Sequence, residues 1–174
     1  LFEYEGVTGL KTGTSESGGA SITTTATRNG FSVIVVSMGS KEPLNRFKVT
    51  RHLLDELFKK YEGLIVGSPG KSVQNLAPIP LEGGTEETLS VDYGKPFVAA
   101  VPKGTALSQI KIGFIPLDEL KTEDEKVKAP VQAGQTVGTL TFEMPGENLG
   151  YVDGKDHGTV EALAAYDVEQ SNVV

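Results

Sequence analysis

Gly18-Gly-Ala-Ser-Ile-Thr-Thr-Thr-Ala-Thr-Arg-Asn-Gly-Phe-Ser-Val-Ile-Val-Val-Ser-Met38 is the stretch that decides the fold of the first part of the chain. Ala20, Ile22, Thr24 and Ala26 alternate with Ser21, Thr23, Thr25 and Thr27. A period of two with β-branched side chains describes a strand. Asn29-Gly30 is the dipeptide best suited to a two-residue hairpin, because both positions tolerate a positive φ. The run from Phe31 to Met38 follows it, apolar enough to be covered on both faces, so an antiparallel pair is expected.

Working outward toward the C-terminus, Ser40 and Pro43 act as helix-start residues. Leu44, Phe47, Leu54, Leu57, Phe58 and Tyr61 then recur at helical spacing, and Gly63 is expected to end the helix as its C′ glycine. Asp55 with Lys59 and Glu56 with Lys60 stand four apart in the favourable order, each pair worth about 0.3 kcal/mol on an exposed face. His52 is placed on the helix as partial core.

Beyond residue 62 the composition changes. Eight of the nine Pro lie there, whereas all three Arg (Arg28, Arg46, Arg51) lie before it, and the formal net charge of −7 divides into +1 up to Glu62 and −8 after it. Such a shift predicts two folding units, residues 1–62 and 63–168, with a tail at 169–174. The second reads as short strands between turns, at residues 64–66, 72–77, 87–91, 97–101, 110–115, 131–137, 139–143 and 159–166. That spacing predicts a small sandwich or barrel. Residues 162–166 are helix-compatible by composition, but the flanking Thr159, Val160 and Val168 favour strand. Lys121-Thr-Glu-Asp-Glu-Lys126 reads as a solvated loop.

Composition also excludes functions. With no Cys there are no disulfides, thiolate metal sites or Cys nucleophiles. A net charge of −7 repels phosphate backbones, which makes nucleic acid a poor partner. The apolar runs are far shorter than the roughly 20 residues of a membrane-spanning helix. The chain opens on Leu1 rather than Met and shows no leader, so it reads as an internal piece of a longer protein. His52 and His157 lack metal-ligand spacing, and Asp153-Gly-Lys-Asp-His157 reads as a turn rather than a calcium loop, so no metal or cofactor is expected. Ala133-Gly-Gln-Thr-Val-Gly138 is similar to hairpins of lipoyl-type carrier domains, but no Lys stands at the tip to be modified.

The chemistry concentrates upstream of the hairpin. Gly6-Val-Thr-Gly-Leu-Lys-Thr-Gly-Thr-Ser15, with Ala26-Thr-Arg-Asn-Gly30 and Val33-Ile-Val-Val36, resembles the third catalytic motif of low-molecular-mass penicillin-binding proteins, the serine D-alanyl-D-alanine carboxypeptidases. Residues 94–102 and 128–142 are similar to that family's C-terminal β-domain, so the resemblance covers nearly the whole chain. It implies an α+β fragment of a penicillin-recognising serine hydrolase domain, antiparallel strands plus one helix, followed by an all-β sandwich-like domain.

Site roles follow from the same resemblance. Lys11 supplies a fixed cation that hydrogen-bonds the hydroxyl of the second motif, and Gly13 lets a substrate backbone approach the strand edge. The Thr14 backbone N–H corresponds to one oxyanion donor, a type of group worth about 3 kcal/mol of barrier. Thr12, Thr14 and Arg46 correspond to the grip on the free carboxylate of the terminal D-alanine, which Arg can hold with two parallel bonds. Some relatives carry His at the position of Thr14, so their pH dependence does not transfer.

The implied partners are the peptidoglycan stem peptide, β-lactams and an N-terminal part of the same protein that holds the nucleophile. The implied location is the outer face of the bacterial cytoplasmic membrane or the cell wall, with membrane attachment only through a segment absent here. The family's Ser-x-x-Lys and Ser-x-Asn motifs do not precede Lys11 in this sequence. Ser68-Pro69-Gly70-Lys71 matches the first by letters alone, since Pro-Gly is a poor pair for a helical turn. On this reading the chain alone is inactive. Two alternatives remain: a non-catalytic cell-wall or protein-binding β-module, and a class A β-lactamase-like hydrolase, against which the long stretch after the helix argues.

Overall fold

In the structure, a computed structural model that describes residues 3–146 and 158–171, Asn29 and Gly30 both adopt positive φ, 50° and 77°, and close a two-residue hairpin. The stretch 153–157, with His157, and residues 172–174 of the expected tail lie outside the described residues. Three antiparallel strands form the first sheet in the order β1 (Val7–Ser15), β2 (Gly19–Arg28), β3 (Phe31–Ser40). Ala20, Ile22, Thr24 and Ala26 of β2 are buried, as the alternation requires, together with Val33 and Val35 of β3.

Helix α1 (Asn45–Lys60) covers that face, burying Thr50, Leu54 and Phe58. Its start differs from expectation. Ser40 ends β3 and donates its hydroxyl to the Glu42 carbonyl, and the N-cap is Leu44, which offers no side-chain bond. Its end differs too. Tyr61 is already extended and opens β4 (Tyr61–Gly67), so Gly63 lies inside a strand and is no helix cap. The reason is steric: a Cβ on Gly63 would stand 2.9 Å from the Asn29 carbonyl oxygen and 3.0 Å from the Phe31 nitrogen. Glycine there serves close approach to the hairpin.

Two details of α1 are corrected as well. Glu56 and Lys60 pair at 3.4 Å, but Lys59 turns to Glu56 at 3.9 Å rather than to Asp55, which accepts from the Tyr4 hydroxyl. His52 is exposed, since it points away from the sheet-facing line of Thr50, Leu54 and Phe58. The expectation that β3 is covered on both faces also fails among the described residues. Ile34, Val36 and Met38 are 69%, 57% and 78% exposed on the face opposite α1.

The chain forms two compact units, Leu1–Leu64 with Ala100–Gly104, and Ile65–Ala99 with Thr105–Val174. It passes between them inside β4, inside β8 (Phe97–Pro102) and again after Gly104.

The second unit is built from two sheets. One has the order β10-β5-β6, from β5 (Ile79–Glu82), β6 (Thr88–Leu89) and β10 (Val127–Lys128). The other has the order β7-β12-β11-β9, from β7 (Val91–Tyr93), β9 (Lys111–Pro116), β11 (Thr136–Glu143) and β12 (Thr159–Ala164). A single cluster that includes Ile79, Leu81, Leu89, Val127, Val137, Leu140, Val160 and Ala162 joins them, a sandwich-like arrangement. Within these two sheets the strand pairs are antiparallel except β5 with β10.

Several strand expectations in this unit need correction. Residues 72–77 form no strand: Ser72 makes an isolated bridge to Asp92, and Asn75 turns the chain with a φ of 60°. The 87–91 segment is broken at Ser90 into β6 and β7, which lie in different sheets. Residues 131–135 form a bridge from Val131 to Val168 and a turn before β11. Strand β12 ends at Ala164, and β5 and β10 were not expected at all. Residues 121–126 form the solvated loop, with Lys121 on Glu125 at 2.8 Å.

Candidate functional site

Strand β1 is an edge of its sheet, and its register sets the direction of every candidate side chain. Thr12 lies opposite Ile22 and Thr14 opposite Ala20, both buried, so the two Thr share the face that carries α1. Lys11 lies opposite Thr23, which lies opposite Val36, placing Lys11 on the uncovered face. Strand alternation therefore holds without a bulge between Lys11 and Ser15. A Cβ on Gly13, which shares the face of Lys11, would meet nothing within 4 Å, so the space over that face is open at this point.

Lys11 is exposed, and its Nζ donates to the neighbouring Thr12 carbonyl at 2.8 Å. Arg46, half-buried in the first turn of α1, reaches the same strand from the other face. Its Nη1 donates to the Gly13 carbonyl at 2.9 Å and to the Thr14 hydroxyl at 3.0 Å. Its guanidinium carbon stands 5.0 Å from the centroid of the Phe47 ring, and its Nε is buried without a hydrogen-bond partner among the described residues. The reach of Arg46 follows from helix packing. Arg46, Thr50, Leu54 and Phe58 repeat every four residues, and small side chains at Ala20, Thr24 and Ala26 let that line sit close to β2.

The structure thus gathers Thr12, Gly13, Thr14 and Arg46 at the C-terminal half of β1, with the Lys11 ammonium on the opposite face of the same edge. Beside Thr14 an open hollow of about 440 Å³ runs between the β1–β2 turn and the segment holding Gly39, Lys41 and Pro43. Ser68 and Lys71 occupy a turn, with Gly70 at a φ of 66°, and hold no helical spacing.

Sequence reasoning missed Tyr4. It is buried in the core beneath α1, and its hydroxyl donates to Asp55 at 2.6 Å. Burial first, and then the bond to Asp55, push its hydroxyl pKa up to about 12. The Arg28 guanidinium carbon lies 5.0 Å from the Tyr4 ring and 4.4 Å from that of Phe58, and that of Arg51 lies 5.6 Å from Tyr4. The signal available was an aromatic residue three positions before the strand that carries Lys-Thr-Gly.

The sandwich-like unit and an edge strand bearing Lys-Thr-Gly define the class. The family described as penicillin-binding protein 5, C-terminal domain, matches residues 68–170, and the chain belongs to it. Among curated relatives it is 28% identical over 146 residues to D-alanyl-D-alanine carboxypeptidase DacF of Bacillus subtilis, covering 84% of this chain and 35% of that protein. It is 25% identical to D-alanyl-D-alanine carboxypeptidase DacC of Escherichia coli, covering 82% of this chain and 33% of that protein. The chain spans about a third of the length of these relatives.

Solved structures share the fold. Penicillin-binding protein 5 of Haemophilus influenzae superposes with a TM-score of 0.61 at 22% identity over 95% of this chain and 43% of its own. A peptidoglycan synthesis regulatory factor of Streptococcus pneumoniae superposes with a TM-score of 0.65 at 23% identity over 97% of this chain and 45% of its own.

Proposed function

We propose that this chain supplies the Lys-Thr-Gly strand and the carboxylate grip of a serine-type D-Ala-D-Ala carboxypeptidase acting on peptidoglycan stem peptides at the outer face of the cytoplasmic membrane. The observation that carries the reading is the hold of Arg46 on Gly13 and Thr14, which sets a guanidinium beside the strand edge where a peptide's chain end would lie. The bonds to the strand use Nη1 alone, leaving other guanidinium N–H donors to meet a carboxylate.

The reaction is acyl transfer to water. A Ser from the N-terminal part of the protein attacks the penultimate carbonyl, D-alanine leaves, and water releases the acyl group. The Lys11 ammonium stabilises the negative charge that develops, and the Thr14 N–H serves as one oxyanion donor. Thr12, Thr14 and Arg46 orient the terminal carboxylate, and the same groups receive the carboxylate of a β-lactam. The unit of residues 1–62 is then the C-terminal part of a catalytic domain, and residues 63–168 form its β-domain. The exposed row Ile34, Val36 and Met38 supports this, because a sheet face so apolar is normally covered.

Labelled penicillin tests the reading. The isolated chain is expected to stay unlabelled, and the longer polypeptide that carries it to be acylated, with Lys11→Ala slowing acylation at least 100-fold. Labelling of the isolated chain, or full reactivity of Lys11→Ala, would overturn it.

A second reading has one observation in its favour: the family match starts at residue 68, beyond the β1–β3 sheet and α1. Sedimentation of that unit with purified peptidoglycan, and not of residues 1–62, would give it a wall-binding role of its own.

A further inference from the structure

We infer that Tyr4 is a positioning residue for the carboxylate grip, acting through Asp55 and helix α1; the role rests on the function proposed above. The segment before β1 is clamped at several points. The Tyr4 hydroxyl bonds Asp55 at 2.6 Å, the Tyr4 carbonyl accepts from Val7 N–H at 3.2 Å, and the Gly6 carbonyl accepts from Thr27 N–H at 2.7 Å. Gly6 takes a φ of 84° there, and a Cβ would collide with the Thr27 carbonyl. Arg28 adds a bond from its Nε to the Glu5 carbonyl at 3.2 Å.

The Tyr4 ring is flanked by the Arg28 and Arg51 guanidinium groups, and Arg28 also caps Phe58. This cluster ties the start of β1 to the middle of α1. Arg46 ties the far half of β1 to the first turn of the same helix. The two ties are nine residues apart on α1, about 14 Å at the usual rise. A rigid helix held at two points cannot roll or slide along the strand. The N-cap of α1 gives no side-chain bond and is held by backbone bonds within its own turn, so the Tyr4 tie sets the angle from which Arg46 meets Gly13. A helix freed at Asp55 keeps its buried Leu54 but loses its registration, and the guanidinium is the group most sensitive to it.

Two measurements test this, one independent of any reaction. In the 174-residue chain, Tyr4→Phe is expected to speed hydrogen exchange of the Arg46 guanidinium at least fivefold, with the amides of β2 and β3 unchanged. Asp55→Asn, which keeps an acceptor for the Tyr4 hydroxyl, is expected to exchange within twofold of the parent, and Asp55→Leu to match Tyr4→Phe. Unchanged Arg46 exchange in Tyr4→Phe overturns the coupling whether or not D-Ala-D-Ala peptides are substrates.

In the longer polypeptide, Tyr4→Phe is expected to raise KM about fivefold for a peptide ending in a free carboxylate, with kcat within twofold and no change for the C-terminal amide. An equal loss for both peptides would mark Tyr4 as a plain stabiliser of the fold and overturn the positioning role. Failure of the unaltered polypeptide to hydrolyse either peptide sinks the functional reading, and the exchange result then decides the Tyr4 coupling alone.

Discussion

The two units bury their sheets in different ways. In the second unit both sheets give their apolar residues to one shared cluster, and Val127, Val137, Leu140 and Ala162 are fully enclosed. In the first, α1 covers one face of β1-β2-β3 with Leu54 and Phe58, while Ile34, Val36 and Met38 stand open on the other. One is a closed domain in the physical sense. The other is a sheet covered by a helix on one face and apolar and exposed on the opposite one among the described residues, and the candidate site lies at its edge. Lys11 belongs to the bare face of that sheet and Arg46 reaches its edge from the covered one.

The largest expected effect tests the closed core. Leu140→Ala should cost about 2–5 kcal/mol in urea unfolding of the second unit, because the residue is fully buried and neighbours relax only partly into the void. Hydrogen exchange should show this loss in β9, β11 and β12; a loss spread equally over β1–β3 would erase the contrast between the units.

A smaller effect separates the units by pH. Tyr4 is raised to about 12, and Tyr93 in the second unit is also raised by burial. Between the ordinary pKa of about 10 and the raised value, the unfolded hydroxyl ionises while the folded one keeps its proton, so stability present below pH 10 is lost as pH climbs toward 12. Tyr4→Phe should remove about 1 kcal/mol at neutral pH and flatten the alkaline limb of the first unit only. Tyr93→Phe should flatten that of the second, and pH-jump unfolding followed by exchange distinguishes the two.

The smallest effect is the sharpest for function. Ile34→Lys with Val36→Lys should leave stability of the isolated chain within about 0.5 kcal/mol, since both side chains are already exposed. In the longer polypeptide the same pair should abolish soluble, penicillin-reactive protein. Equal behaviour in both settings would mean that nothing covers the face.

Much of the first unit was legible locally. The alternation in β2, the Asn29-Gly30 turn and the apolar line of α1 each express a backbone period within a few residues, and the sheet and helix obey them. The site was legible in part: the direction of Lys11 and Thr12 follows from strand alternation, and Arg46 was named as a carboxylate grip from the resemblance. In the second unit Ile79-Pro-Leu-Glu82 alternates buried and exposed residues, but it is only four residues long and Pro80 weakens the strand signal. Strand β10 is only two residues long and exists because Val127 and Lys128 lie parallel to Leu81 and Glu82.

The sequence by itself determined which residues must be extended, turned or helical, since those preferences act between neighbours a few positions apart. It also placed the Lys-Thr-Gly motif on an extended segment. Only the tertiary structure decided that Arg46 bonds Gly13 across 33 positions, that Tyr4 bonds Asp55 across 51, and that Gly63 belongs to a strand pressed against the hairpin. Such contacts depend on register and packing angle, which emerge when distant surfaces compete for burial and which no local period records.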